Sequence, residues 1–181
     1  DTNALAWALF VQDESRLTDH LTLNVGGRLD HHDRFGFSTS PRFALILAPD
    51  AKNTLKLLTG RSFRAPNDYE TSYADGVSQK ANDNLRPEHL AMYELVYERL
   101  LNHRLHASAT VYRYRLTSLV ELVTDPRDDF SVFINRGAIR TTGAEVDVEG
   151  TFLGSLEGRL SGAWQRPVDA NSGARLTNAP E

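Results

Sequence analysis

Apolar and polar residues alternate with a period of two along nearly the whole chain, and sustained alternation of that kind is the signature of a β-strand with one apolar and one polar face. In one run Leu21, Leu23, Val25, Gly27 and Leu29 alternate with His20, Thr22, Asn24, Gly26, Arg28 and Asp30. In the sharpest, Ala144, Val146, Val148 and Phe152 oppose Glu145, Asp147 and Glu149. Further runs carry Leu5, Trp7, Leu9 and Val11; Phe43, Leu45 and Leu47; Tyr93, Leu95 and Tyr97 against Glu94 and Glu98; and Leu156, Leu160 and Trp164 against Glu157 and Arg159. The pattern predicts an all-β chain, an antiparallel up-and-down meander of about eight strands. Two runs read as long: one from Arg104 as far as Val123, the other from near Phe130 to Phe152.

Several function classes drop out early. A net charge of −4 gives no basic footprint for nucleic acid. The chain has no cysteine, hence no disulfide framework and no thiolate metal site. Apolar runs such as Phe43 to Pro49 are too short for a transmembrane helix. No serine elbow, P-loop or dinucleotide glycine motif is present, so an enzyme is the least supported class and no cofactor is expected. The chain opens inside a strand pattern and ends at Thr177-Asn178-Ala179-Pro180-Glu181 with nothing to close a sheet, so residues 1–181 read as a piece of a longer protein.

The connections then narrow the fold. Short turns are expected near 16–19, 49–53, 102–103 and 153–154, and longer loops near 31–40, 64–88, 124–130 and 166–178. In a meander alternate connections share an end, so the short turns lie at one end and the long loops at the other. That asymmetry describes a transmembrane β-barrel. Phe152 beside a short turn and Trp164 near a long loop suit interfacial aromatic girdles. Charges on the polar face would then line a hydrated or plugged lumen, as in barrels of about 22 strands. A soluble β-sandwich would share the alternation but favours strands of about 5–6 residues.

The stretch from Leu57 to Glu98 carries the most information. A strand runs into Gly60-Arg61-Ser62-Phe63-Arg64-Ala65-Pro66, where Pro66 ends the ladder. A polar segment of about 20 residues without apolar periodicity follows, a length that is usually functional or disordered. Asn84-Leu85-Arg86-Pro87-Glu88 then leads into the next strand. These two motifs, followed by Tyr93-Glu94-Leu95 and Glu98, resemble the barrel signature of TonB-dependent outer-membrane receptors. Arg28-Leu29-Asp30, Ser40-Pro41-Arg42-Phe43-Ala44, Asn135-Arg136-Gly137, Gly143-Ala144-Glu145 and Asn178-Ala179-Pro180 resemble further segments of that signature. The resemblance implies active uptake of a scarce nutrient across the outer membrane of a Gram-negative bacterium. Siderophore-bound iron is the commonest substrate, with cobalamin and haem among the alternatives. It further implies outer-membrane lipid around the barrel, a plug domain of the same full-length chain within it, and energy from TonB through that plug. This chain shows no plug, no TonB box and no C-terminal barrel strands, and is expected to be inactive alone in gated transport. A porin or adhesin barrel and a soluble β-sheet binding module are the other readings.

Candidate ligand contacts are Arg64, Tyr69 and Tyr73 in the long loop, residue types suited to anionic aromatic siderophore complexes; as ordinary loop residues they need no such role. Glu94, Glu98, Glu145, Asp147, Glu149 and Arg159 are expected to face the lumen and to contact a plug or one another. His31 and His32 are adjacent on a strand and point to opposite faces, so no metal site is expected there.

Overall fold

The computed structural model describes residues 5–152 and 156–176. Its elements are β1 (Ala6–Thr18), β2 (Leu21–His32), β3 (Gly36–Asp50), β4 (Asn53–Arg64), the short helix α1 (Asp68–Ser72), β5 (Gln79–Lys80), β6 (Glu88–Asn102), β7 (Leu105–Thr117), β8 (Val120–Thr124), β9 (Ser131–Asn135), β10 (Ala138–Phe152) and β11 (Leu156–Asp169). Eight long strands form one sheet in the order β1-β2-β3-β4-β6-β7-β10-β11, and all its pairings are antiparallel. The expected meander is therefore present. Its strands run from 12 residues in β2 to 15 in β3, longer than the 9–11 or so a tilted strand needs to cross a bilayer.

Register sorts the side chains into two faces. One cross-strand row reads Leu23, Leu45, Leu57, Leu95, Val111, Ala144 and Trp164. The next reads Leu21, Leu47, Leu55, Tyr97, Ala109, Val146 and Gly162. These rows form a continuous apolar face, and Leu57, Leu95, Val111, Val146 and Trp164 on it are exposed. The opposite face carries Lys56, Glu94, Glu98, Ser108, Thr110 and Asp147. Neither face is covered, so the sheet has no core of its own. The buried apolar side chains Leu85, Val132, Ala138 and Val168 belong to the long connections and the strand ends beside them. The inverse distribution, apolar side chains outside and charges within, suits a sheet whose apolar solvent is lipid.

Several element boundaries depart from the expectation. The loop placed at 31–40 is a tight turn at 33–35. Strand pairing runs on through His31↔Phe37 and His32↔Gly36, stabilised by the ring contacts of His31 with Trp7 at 5.4 Å and with Phe37 at 4.6 Å. The turn placed at 16–19 shortens to 19–20, since β1 extends to Thr18. The long run from Arg104 breaks at Ser118, whose φ of +57° no ladder accommodates, and β8 peels away into a separate small sheet. The run from Phe130 breaks likewise at Gly137, with φ +78°. Alternation survives across both hinges, which is why the sequence pattern reads through them. The Leu153-Gly154 turn and the Asn178-Ala179-Pro180 motif lie outside the described residues.

Short turns at 19–20, 51–52 and 103–104 share one end of the sheet, while the connections 65–87 and 118–137 share the other. The predicted asymmetry of ends thus holds, with the β2–β3 turn as a short member of the long-loop end.

Candidate functional site

The two long connections are folded together. The segment after β4 starts with a capped helix turn: Asn67 Oδ1 accepts the Glu70 amide, and the Glu70 carboxylate accepts the Asn67 amide. After α1 the Asp75 carboxylate accepts the backbone amides of Val77, Ser78 and Gln79 and the Ser78 hydroxyl. The Ser78 hydroxyl bond above all, with those amides, holds the Asp75 carboxyl well below the usual carboxylate range. β5 then pairs in parallel with β9, and β9 with β8, so the two connections share a small three-stranded sheet. Lys80 closes the arrangement by donating to Asp125 at 2.6 Å and Asp128 at 2.8 Å. The Lys80 bond, followed by the Arg127 amide, keeps the Asp125 carboxyl below its ordinary value.

The motif residues singled out in the sequence meet at the base of this assembly. Glu88 is buried; one of its carboxylate oxygens accepts Arg64 Nε at 2.8 Å and the other accepts the Val120 amide at 2.8 Å. The second face of the Arg64 guanidinium donates to Glu70 on α1. Asn135 accepts the Arg86 amide at 2.7 Å and donates Nδ2 to the carbonyls of Arg86 and Ser118, both at 2.8 Å. One hydrogen-bonded knot therefore joins Phe-Arg-Ala-Pro, Leu-Arg-Pro-Glu and Asn-Arg-Gly, segments far apart in sequence. Its polar groups satisfy backbone donors and acceptors at the Ser118 break, where the sheet ladder cannot. Arg34 in the β2–β3 turn adds an outer tie to Thr71, Ser72 and Asp83.

The candidate ligand contacts therefore differ among themselves. Arg64 donates Nε to Glu88 and Nη1 to Glu70, and so ties α1 to the base of the loops. Tyr69 and Tyr73 lie on or just after α1 with ring centroids 4.8 Å apart, and they remain 54% and 42% exposed. Phe133 of β9 packs edge-on against Tyr69 at 5.9 Å, so the other connection helps to aim the pair. Sequence reasoning missed Glu70, Glu88 and Asn135 as the residues that set this geometry. For Glu88 and Asn135 the available signal was their place in the quoted motifs; Glu70 stood in the polar segment with no mark of its own.

On the polar face a hollow of about 590 Å³ is lined from β4, β6, β7, β10 and β11, among others by Lys56, Glu94, Glu98, Asp147, Glu149 and Arg159. Lys56 pairs with Glu98 at 2.6 Å, and Arg159 donates Nε to Asp147. Glu145 lies on the same face, opposite Thr110 and Ala163, outside that lining. Gly143 sits opposite Tyr112 there, and any Cβ at Gly143 would collide with the tyrosine ring. Among the described residues no group of three or more His, Asp or Glu is disposed to hold a metal ion. His31 packs among Trp7 and Phe37, whereas His32, on the opposite face, contacts Phe35 and accepts the Arg34 amide.

Residues 1–181 match the family described as TonB dependent receptor-like, beta-barrel. An iron-regulated outer membrane virulence protein of Vibrio cholerae is 28% identical over 97% of this chain. A ferric enterobactin receptor of Pseudomonas aeruginosa is 29% identical over 72% of it. The crystal structure of the siderophore receptor PirA from Pseudomonas aeruginosa superposes with a TM-score of 0.77 at 24% identity, over 90% of this chain and 32% of that one. The chain spans 28% of the Vibrio protein's length and 19% of the enterobactin receptor's.

Proposed function

The chain belongs to the β-barrel family of TonB-dependent receptors, a family of outer-membrane receptors and transporters rather than enzymes, and on that premise we propose that it forms part of the wall of a barrel importing a ferric siderophore. The observation that carries the reading is the arrangement of the two long connections. They are knotted by Glu88 and Asn135 at one end of a sheet that is apolar outside and charged inside, and they hold Tyr69 and Tyr73 side by side at the surface. Paired exposed aromatic rings offer flat, hydrogen-bonding contact to an aromatic, anionic iron complex. The names of the relatives, an enterobactin receptor and an iron-regulated protein, support iron as the cargo over cobalamin or haem.

In this reading residues 1–181 are a partial barrel, and a plug domain elsewhere in the full-length chain fills the lumen. Glu94, Glu98, Glu145, Asp147, Glu149 and Arg159 face that plug, and TonB acts on the plug rather than on this sheet. Tyr69 and Tyr73 touch the ligand, while Arg64 acts through α1. The test is growth of an iron-starved host that lacks its own ferric-siderophore receptors and expresses the full-length protein. Growth on at least one ferric siderophore, lost when TonB is deleted, is expected. A correctly inserted protein that supports growth on none of a broad siderophore panel would overturn the reading.

A further inference from the structure

Reading the apolar face upward toward the long connections, its composition changes abruptly. The row above Leu95, Val111, Ala144 and Trp164 is Thr59, Tyr93, Arg113, Thr142 and Arg166. The row above that is Arg61, Ala91, Arg115, Arg140 and Val168. Five arginines thus share the outward side of the loop-end rows, and His89 stands one step higher. Arg115 and Arg140 are directly opposed across β7 and β10, an arrangement of like charges that destabilises a sheet unless an anion lies between them. Among the described residues the register places two carboxylates on this face, Asp13 opposite Val25 and Asp50 opposite Asn53, and both lie toward the short-turn end, away from the arginines. None of the five arginines makes an ion pair among the described residues. By contrast Lys56 and Arg159 on the inner face and Arg64 and Lys80 at the loops each hold a carboxylate.

A hollow adjoins the patch. β3 pairs with β4 from Arg42↔Gly60 toward the short-turn end, whereas the other stretch of β3, from Gly36 to Pro41, pairs with β2 alone. Where the two strands part, a hollow of about 460 Å³ is lined by Phe37, Thr39, Arg61, His89 and Arg115 among others.

We propose that Arg113, Arg115, Arg140 and Arg166, with Arg61 and His89 beside them, bind the phosphate groups of a phosphorylated lipid in the outer leaflet, its acyl chains lying on the apolar rows below. The inference rests on the reading that this sheet spans the outer membrane. Strand spacing of about 4.8 Å and a two-residue rise of about 6.8 Å give the four central arginines a footprint of roughly 10 by 7 Å, the scale of a phosphorylated headgroup. Guanidinium groups suit phosphate through paired N–H donors. The apolar band continues without a break from the patch, which favours a lipid over a second protein.

The experiment is native mass spectrometry of the full-length receptor extracted from outer membranes in mild detergent. Wild type is compared with the combined Arg113→Gln, Arg115→Gln, Arg140→Gln and Arg166→Gln variant and with the loop control Arg127→Gln. Wild type and control are expected to retain a phosphate-bearing lipid. The combined variant is expected to lose it, with affinity falling about fivefold per charge removed. Equal retention by the combined variant, with resistance to alkaline extraction intact in all three, would overturn the lipid site and leave the membrane-spanning reading standing. Failure of the wild type to enter the outer-membrane fraction would overturn both. Inorganic phosphate added to delipidated protein is expected to bind weakly and to be displaced by salt. Retention as tight as that of the lipid would mark a simple anion site and refute the lipid assignment.

Discussion

Glu88→Ala tests whether the knot holds the loops or merely decorates them. The side chain is 10% exposed and accepts two hydrogen bonds, from Arg64 Nε and from the Val120 amide. Truncation strands the Val120 amide at a cost of about 1–3 kcal/mol and removes a charge-assisted bond of about 1.5–3 kcal/mol. The second figure is discounted, because the Arg64 side chain is 46% exposed, so water screens it, and it keeps Glu70 as a partner. A net loss of about 3 kcal/mol in the docking of the two connections follows, roughly a hundredfold rise in the open population. The assay is amide hydrogen exchange of the full-length protein in detergent. Residues 65–87 and 118–137 are expected to exchange roughly a hundredfold faster, while the ladders of β6 and β7 below them stay protected. Glu88→Gln keeps an acceptor for Val120 and should show a clearly smaller change. Unchanged exchange in both connections, or collapse of the whole sheet, would refute the assignment of Glu88 as a local tie.

Other predictions follow from the same geometry. The depressed carboxyls of Asp75 and Asp125 stabilise the docked loops fully above the unfolded carboxylate value near 3.8 and lose that contribution as pH falls through their lower folded values; proteolytic nicking of the loops should be flat from neutral pH to about 4 and rise below it. Leu95→Arg on the lipid-facing side should cost about 2–4 kcal/mol of barrel stability in a refolding titration, whereas Thr110→Arg on the polar side should cost little; similar costs would refute the assignment of faces. Gly150→Ala should destabilise the β7–β10 pairing at the short-turn end by about 1–3 kcal/mol, seen as a lower melting temperature, because Gly150 has φ +135° and a Cβ there would collide with the Arg104 carbonyl. Tyr69→Ala with Tyr73→Ala should weaken ferric-siderophore binding by about tenfold or more; unchanged affinity would remove the pair from the ligand site.

Much of the fold was legible because strand periodicity is a local property. The outward row from Leu23 to Trp164 is assembled from side chains whose alternation is visible in each segment alone. The charged side chains expected on the opposite face are likewise sorted there by parity. What stayed hidden is where local pattern carries no mark of direction. Ser118 turns the chain out of the sheet with φ +57°, a conformation uncommon for serine, and the alternation on either side reads as one strand. The segment 65–87 reads as featureless because its order comes from partners elsewhere: Glu88 on Val120, Asn135 on Arg86, Lys80 on Asp125.

By itself the sequence determined that this chain is a sheet with an apolar and a charged face, since a period of two dictates both at once. Only the tertiary structure decided what the motif residues are for. Arg64, Glu88 and Asn135 are separated by long polar stretches, and a hydrogen bond between distant residues leaves no trace in the spacing of either. Their meeting depends on the register that lays β4, β6 and β7 side by side and so brings the two long connections to the same end.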